Sequence, residues 1–307
     1  MNAPFTASAP GSLMLMGEHA VLHGQPSLVC AVNRRIRITL TPRPDRAVTI
    51  RSALGRYSAS LDLLMAAEPF RFVTGVLSRH KEHLKTGMDI QIDSEFSHKV
   101  GLGSSAAVTV VMTAALFASL GGSPRPRQVF DESLAVVRQI QGLGSGADVA
   151  ASVFGGIVHY RADPVEIRRL QSSYPLTVIY SGSKKPTVEV VKLVEAARAS
   201  RPEVFDKAFE MMGQNAKAAA TAIEDGNWRG LGELMNISQG LMDTIGVSNA
   251  KLSEIVYALR ADPGIFGSKI SGSGLGDCVI GLGRAERTEW PYDVLPVEIS
   301  AQGLKEE

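Results

Sequence analysis

Apolar and polar residues change period several times along the chain, and each change marks an element. Residues 28–32 followed by 36–40 read as apolar-rich strand, with Arg35, Arg37 and Thr39 alternating outward. A turn at 42–45 and a short strand at 48–51 follow. Phe70, Phe72, Val73, Val76 and Leu77 recur along one side of a helix expected over 68–84. A strand at 88–92 leads to a polar stretch and a glycine loop. From 105 to 120 small apolar residues run almost without a break, which predicts a helix buried on all sides. Pro124 and Pro126 interrupt the pattern before a helix at 129–141, a second glycine loop at 142–146, a short helix at 149–154 and a strand at 157–161. After a strand at 176–180, helical periods occupy 188–199, 204–224, 228–245 and 249–259. A third glycine loop, 271–276, then opens onto a strand at 277–282. Strands and helices follow in irregular order, so the expected class is α+β rather than a doubly wound parallel sheet.

Size and composition narrow the classes. The 307 residues suit two domains better than one, and the polar, proline-containing stretch at 162–165 suggests a division into 1–163 and 164–307. Lys and Arg number 32 against 31 Asp and Glu, so no global charge draws the chain to nucleic acid or to a membrane surface. Residues 1–10 lack the basic-then-apolar pattern of a secretion signal, and no run of 18 apolar residues occurs. Cys30 and Cys278, widely separated, make neither a disulfide framework nor a zinc cluster. A cytoplasmic globular protein is expected. His80 and His83 share a helix face without a third ligand nearby, so they read as surface or packed histidines.

The chemistry begins at Lys99-Val100-Gly101-Leu102-Gly103-Ser104-Ser105-Ala106-Ala107. Glycines ahead of a helix let the backbone approach an anion and turn N–H groups toward it. The two serines add hydroxyls, one able to ligate Mg²⁺ and the other to bond a phosphate oxygen. A serine-capped turn would need fewer glycines and no such apolar helix behind it. No Gly-Lys-Ser/Thr ends the loop, and a third dinucleotide-type glycine is missing.

Two further stretches accompany it. One opens the chain, from Ala9-Pro10-Gly11-Ser12 through Gly17-Glu18-His19-Ala20-Val21-Leu22-His23-Gly24. The other is Ser271-Gly272-Ser273-Gly274-Leu275-Gly276-Asp277-Cys278. In this order, and over essentially the whole chain, the three motifs resemble the GHMP kinase superfamily of galactokinase, homoserine kinase, mevalonate kinase and phosphomevalonate kinase. The resemblance implies an N-terminal domain like domain 2 of ribosomal protein S5 and a ferredoxin-like C-terminal domain. It also implies ATP and Mg²⁺ as cofactors, a small alcohol as acceptor and, as in many members, a homodimer.

The opening motif looks most like mevalonate kinase, which implies mevalonate as acceptor. Gln141 to Ala151, Lys99 and Gly276-Asp277-Cys278 are similar to phosphomevalonate kinase. The resemblance assigns the triphosphate to Gly101, Leu102, Gly103, Ser104, Ser105 and Ala106, with Ser105 as metal ligand. It assigns the acceptor to Glu18, His19, Thr187 and Gly272, and proton removal to Asp148. Asp148 also suits capping of the following helix, and Thr187 that of the next.

Two positions depart from the family pattern. Where Pro-Gly-Lys is usual, the chain has Pro10-Gly11-Ser12, so Ser12 stands at the catalytic lysine's place and Lys99, Lys184 or Lys185 must provide the charge. Where mevalonate kinases carry a magnesium glutamate, the chain has Val137. Glu132 lies five residues earlier, rotated by about 140°. Besides mevalonate, three alternatives follow: phosphomevalonate as acceptor, another small-molecule acceptor such as a sugar or amino-acid alcohol, and an ATP-binding regulator without catalysis.

Overall fold

A computed structural model describes residues 4–123, 125–171 and 173–307, so Pro124, one of the two interrupting prolines, lies outside the described residues. The first sheet comprises β1 (Phe5–Met16), β2 (Ser27–Pro42), β3 (Ala47–Ser52), β4 (Gly55–Ser60), β5 (Met88–Ser94), β6 (Ile157–Ala162) and β7 (Val165–Leu170). The strand residues expected at 28–32 and 36–40 lie in the single strand β2, whose pairing with β1 shifts register at a bulge between Pro10 and Ser12. Antiparallel β1–β2 forms the centre. β5, β3 and β4 extend one side, with β3 parallel to β5, while β6 and β7 attach to β2.

Helices α2 (Ser104–Ser119) and α4 (Ala147–Phe154) pack on this sheet, and α1 (Arg71–His80) and α3 (Pro126–Gln141) pack against them. Ten of the sixteen residues of α2 are buried, and Ala107, Val110, Val111, Met112, Ala114 and Leu116 are fully so. An all-round apolar helix is stable only in such a position.

The second unit is an antiparallel sheet of β8 (Leu176–Tyr180), β9 (Ile265–Ser271), β10 (Cys278–Gly283) and β11 (Asp293–Leu295), in the order β11-β8-β10-β9. Helices α5 (Thr187–Ser200), α6 (Pro202–Glu224), α7 (Trp228–Thr244) and α8 (Ala250–Arg260) complete it. The class is α+β, as expected. The boundary expected at 163/164 is not where the first sheet ends. Asp163 and Pro164 form the turn of the β6–β7 hairpin, and β7 stays in the first sheet. A polar proline pair marks a tight turn as readily as a linker. The C-terminal segment also returns, bridging Val32 to Ile299 and pairing β12 (Lys305–Glu306) with β1.

The two sheets share an apolar floor. Leu13, Leu15 and Met16 of β1 are buried in one cluster with Val178 of β8, Met235 of α7 and Cys278 and Ile280 of β10. Above that floor converge the end of β1, the starts of α2 and α4, the turn after β8 and the β9–β10 loop. Among the described residues no helix is long and apolar enough to cross a membrane.

Candidate active site

The glycine loop runs directly into α2, with Gly103 as its N-cap at φ 60°. The first intrahelical bond is Ala107 N–H to Gly103 O, at 3.1 Å, so the N–H groups of Ser104, Ser105 and Ala106 have no helical acceptor. They present the positive end of a sixteen-residue helix to the cleft, an arrangement suited to phosphate. Glycine is required at 103 because a Cβ there would lie 2.0 Å from Ser12 Oγ. At Gly101, φ 68°, a Cβ would lie 2.9 Å from Asp277 Oδ1. Gly101, Gly103, Ser104, Ser105 and Ala106 line the cleft. Leu102 differs. Its side chain is buried in the floor cluster, and its carbonyl accepts from Ser12 N–H at 3.1 Å, tying the loop to β1.

Opposite the loop, Ser12 Oγ donates to Asp148 Oδ1 at 2.8 Å. Helix α4 begins at Ala147 with Gly146 as N-cap, so Asp148 lies in its first turn and does not cap it. Burial pushes the Asp148 carboxyl above its ordinary value, while the Ser12 hydroxyl and the charge of Lys184 pull it back. Lys184, in the turn after β8, lines the cleft and places Nζ 3.9 Å from Asp277 Oδ1. Asp277 is buried, at φ 65°, and burial raises its carboxyl to about 6 against the opposing pull of Lys184.

The other end of the cleft is built across the two units. Glu18 and His19 follow β1, both buried. His19 Nε2–H donates to the Ser273 carbonyl at 2.8 Å, and burial keeps the ring below its usual value, so it is neutral at pH 7. Glu18 Oε1 pairs with Lys269 Nζ of β9, a wholly buried lysine that also donates to Ile270 O. Burial lowers the Lys269 ammonium and Glu18 opposes that shift. Glu18 Oε2 and Ser273 Oγ, both cleft-lining, have no hydrogen-bond partner among the described residues. Thr187 and Gly272 also line the cleft, and the cap of α5 is Pro186 rather than Thr187.

Lys99 is exposed and does not line the cleft, nor does Lys185. The cation that faces Asp148 is Lys184. Val100, next to Lys99, packs against the floor cluster, and in this loop the cleft lining begins at Gly101. Val137 lines the cleft as an apolar residue, and Glu132 is held by Arg79 at 2.6 Å and His80 at 2.9 Å. Lys269 escaped the sequence reading, although a lone lysine between Ser268 and Ile270 in a strand of buried residues was its signal.

Oxygen donors dominate the cleft: the Ser104 and Ser105 hydroxyls and the Asp148 and Asp277 carboxylates. Among the described residues no group of three His, Cys, Asp or Glu is placed to cage a metal. This donor set fits Mg²⁺, which keeps waters and substrate phosphates and needs one or two protein oxygens.

Comparison with known proteins places this geometry among others. The GHMP kinases N terminal domain matches residues 71–156, and the GHMP kinases C terminal domain matches residues 219–289. Residues 1–42 match a galactokinase galactose-binding signature. The chain is 35% identical to a mevalonate kinase of Archaeoglobus fulgidus, over 94% of this chain and 96% of the relative. In fold it is similar to the galactose complex of Lactococcus lactis galactokinase, with TM-score 0.85 at 18% identity, over 99% and 95% of the two chains. It is also similar to the mevalonate kinase of Methanococcus jannaschii, with TM-score 0.82 at 21% identity, over 97% and 99%.

Proposed function

We propose, from the premise that the chain belongs to the GHMP kinase family, that it uses ATP to phosphorylate the primary hydroxyl of mevalonate. One observation carries the chemistry: Asp148, held by Ser12 at 2.8 Å, shares a cleft with the unpaired N–H groups that open α2. Phosphoryl transfer depends mainly on positioning and on neutralising the transferred charge. Loop residues 101–106 bind the triphosphate through backbone N–H groups, and Ser104 and Ser105 add hydroxyl contacts. Asp148 takes the proton of the acceptor hydroxyl, with Oδ1 fixed by Ser12. Lys184 supplies the positive charge that Ser12 cannot. Magnesium, when bound, neutralises phosphate charge, and Ser105 with a cleft carboxylate would hold it. His19, Thr187, Gly272 and the free oxygen of Glu18 contact the acceptor. Burial of the two unpaired cysteines suits a reducing cytoplasm.

Charge separates the acceptors. Glu18, Asp148 and Asp277 line the cleft, against Lys184 as the lining cation, while Lys269 is taken by Glu18. With the Glu18–Lys269 pair neutral, a phosphate on the acceptor would meet two carboxylates, Asp148 and Asp277, with Lys184 alone to balance them. That disfavours phosphomevalonate and suits a monoanionic hydroxy acid. The galactose-binding signature over residues 1–42 supports a sugar as the second reading.

Coupled ADP release with Mg-ATP, measured on mevalonate, phosphomevalonate, galactose and homoserine, tests the proposal. Mevalonate is expected to give the highest kcat/KM. Turnover of galactose or phosphomevalonate without mevalonate would reassign the acceptor, and nucleotide binding without any turnover would leave a regulator. For the cation, Lys184→Met is expected to lower kcat by about 10²-fold, the scale of one lost transition-state donor. That loss should be far larger than for Lys99→Met, and equal losses would return the role to Lys99.

A further inference from the structure

We propose that Asp277 is the carboxylate ligand this chain offers to the divalent cation that accompanies ATP, alongside Ser105 and in place of any acid on α3. The inference rests on the ATP-dependent reading above. Other cleft carboxylates have engagements. Glu18 is paired with Lys269, and Asp148 accepts the Ser12 hydroxyl. The α3 wall offers only Val137, and Glu132 is occupied by Arg79 and His80. Asp277 is 6% exposed, and its Oδ1 has no hydrogen-bond partner among the described residues; Glu18 Oε2 shares that state, but the charge of Glu18 is met by Lys269 in direct contact, whereas Lys184 stays 3.9 Å from Asp277. A buried carboxylate oxygen left so is costly unless a ligand completes it.

Its position answers what ligand. Oδ1 lies against the backbone of Gly101, within the loop that binds phosphate, at a point where any Cβ would stand 2.9 Å away. The backbone aims it there. Asp277 N–H donates to Ser183 O at 2.7 Å and its carbonyl accepts from Ser181 N–H at 2.9 Å, which holds φ at 65°. Such a conformation is uncommon for a residue with a Cβ and accumulates at functional sites. Lys184 Nζ, at 3.9 Å, is too far for a hydrogen bond and leaves room for a cation bound through phosphate oxygens.

Mn²⁺ serves as probe, its free concentration followed by electron paramagnetic resonance in the presence of a non-hydrolysable ATP analogue. Asp277→Asn and Asp277→Gly both tolerate positive φ, so either removes the charge without straining the turn. Each is expected to weaken Mn²⁺ binding to the protein–nucleotide complex by about tenfold or more. Metal-free nucleotide affinity, measured by calorimetry with chelator, should stay near that of the unaltered chain. Lys184→Met, which removes a competing cation, should bind Mn²⁺ as tightly or more tightly. Unchanged Mn²⁺ affinity in both Asp277 variants, with unaltered thermal melts, overturns the inference. So does weakened Mn²⁺ binding in Lys184→Met. If the unaltered chain binds no nucleotide, the kinase reading itself fails and the inference falls with it, a result distinct from the other two.

Discussion

Asp148→Asn is expected to lower kcat on mevalonate by about 10²–10⁴-fold, the range that a positioned general base contributes, while metal-free ATP affinity changes little. The asparagine Oδ1 can still accept the Ser12 hydroxyl now bonded at 2.8 Å, so the first turn of α4 keeps its attachment to β1. What disappears is the capacity to hold a proton. In the proposed reading ATP binding draws on the N–H groups of Ser104, Ser105 and Ala106, which belong to a different helix. Single-turnover measurements at saturating ATP and acceptor, beside a nucleotide titration, separate the two effects. A loss of only a few fold in the chemical step would remove Asp148 from proton transfer and leave it a role in joining α4 to β1.

The second large effect is on stability. Lys269→Met should cost about 3–5 kcal/mol, because it leaves Glu18 charged and buried without its partner. Both side chains are essentially inaccessible, and Glu18 Oε2 already lacks a hydrogen bond. The pair joins the residues after β1 to β9 of the second sheet, so its loss also loosens the acceptor end of the cleft. The double variant Glu18→Gln, Lys269→Met removes both charges and should recover most of the stability without recovering activity. Denaturant unfolding of the two variants beside the unaltered chain reads this out. A single variant as stable as the unaltered chain would mean that water reaches Glu18 and that the pair is not a buried one.

Much of this architecture was legible before any coordinates. The unbroken apolar run at 105–120 requires burial on every side, and α2 is central to the first unit. The glycine-serine loop ahead of it pointed to the proposed phosphate site for the same local reason, since glycine torsions and helix N-terminal N–H groups are properties of adjacent residues. Alternation gave away the outer half of β2. The turn at Asp163-Pro164 was misread as a boundary because a hairpin and a linker share the same polar, proline-rich composition; only the ladder to β7 distinguishes them.

The site divides along the same line. Local sequence determined a glycine-serine loop and a buried helix behind it, because each follows from neighbours within a few residues, and the family resemblance singled out Asp148. Tertiary structure decided which charges meet. Ser12 reaches Asp148 across 136 positions, and Glu18 meets Lys269 across 251. It also decided that Lys184 rather than Lys99 faces the cleft, and that Asp277 turns a bare oxygen toward Gly101. Coulomb and desolvation terms depend on distance and burial, and neither is encoded by separation along the chain.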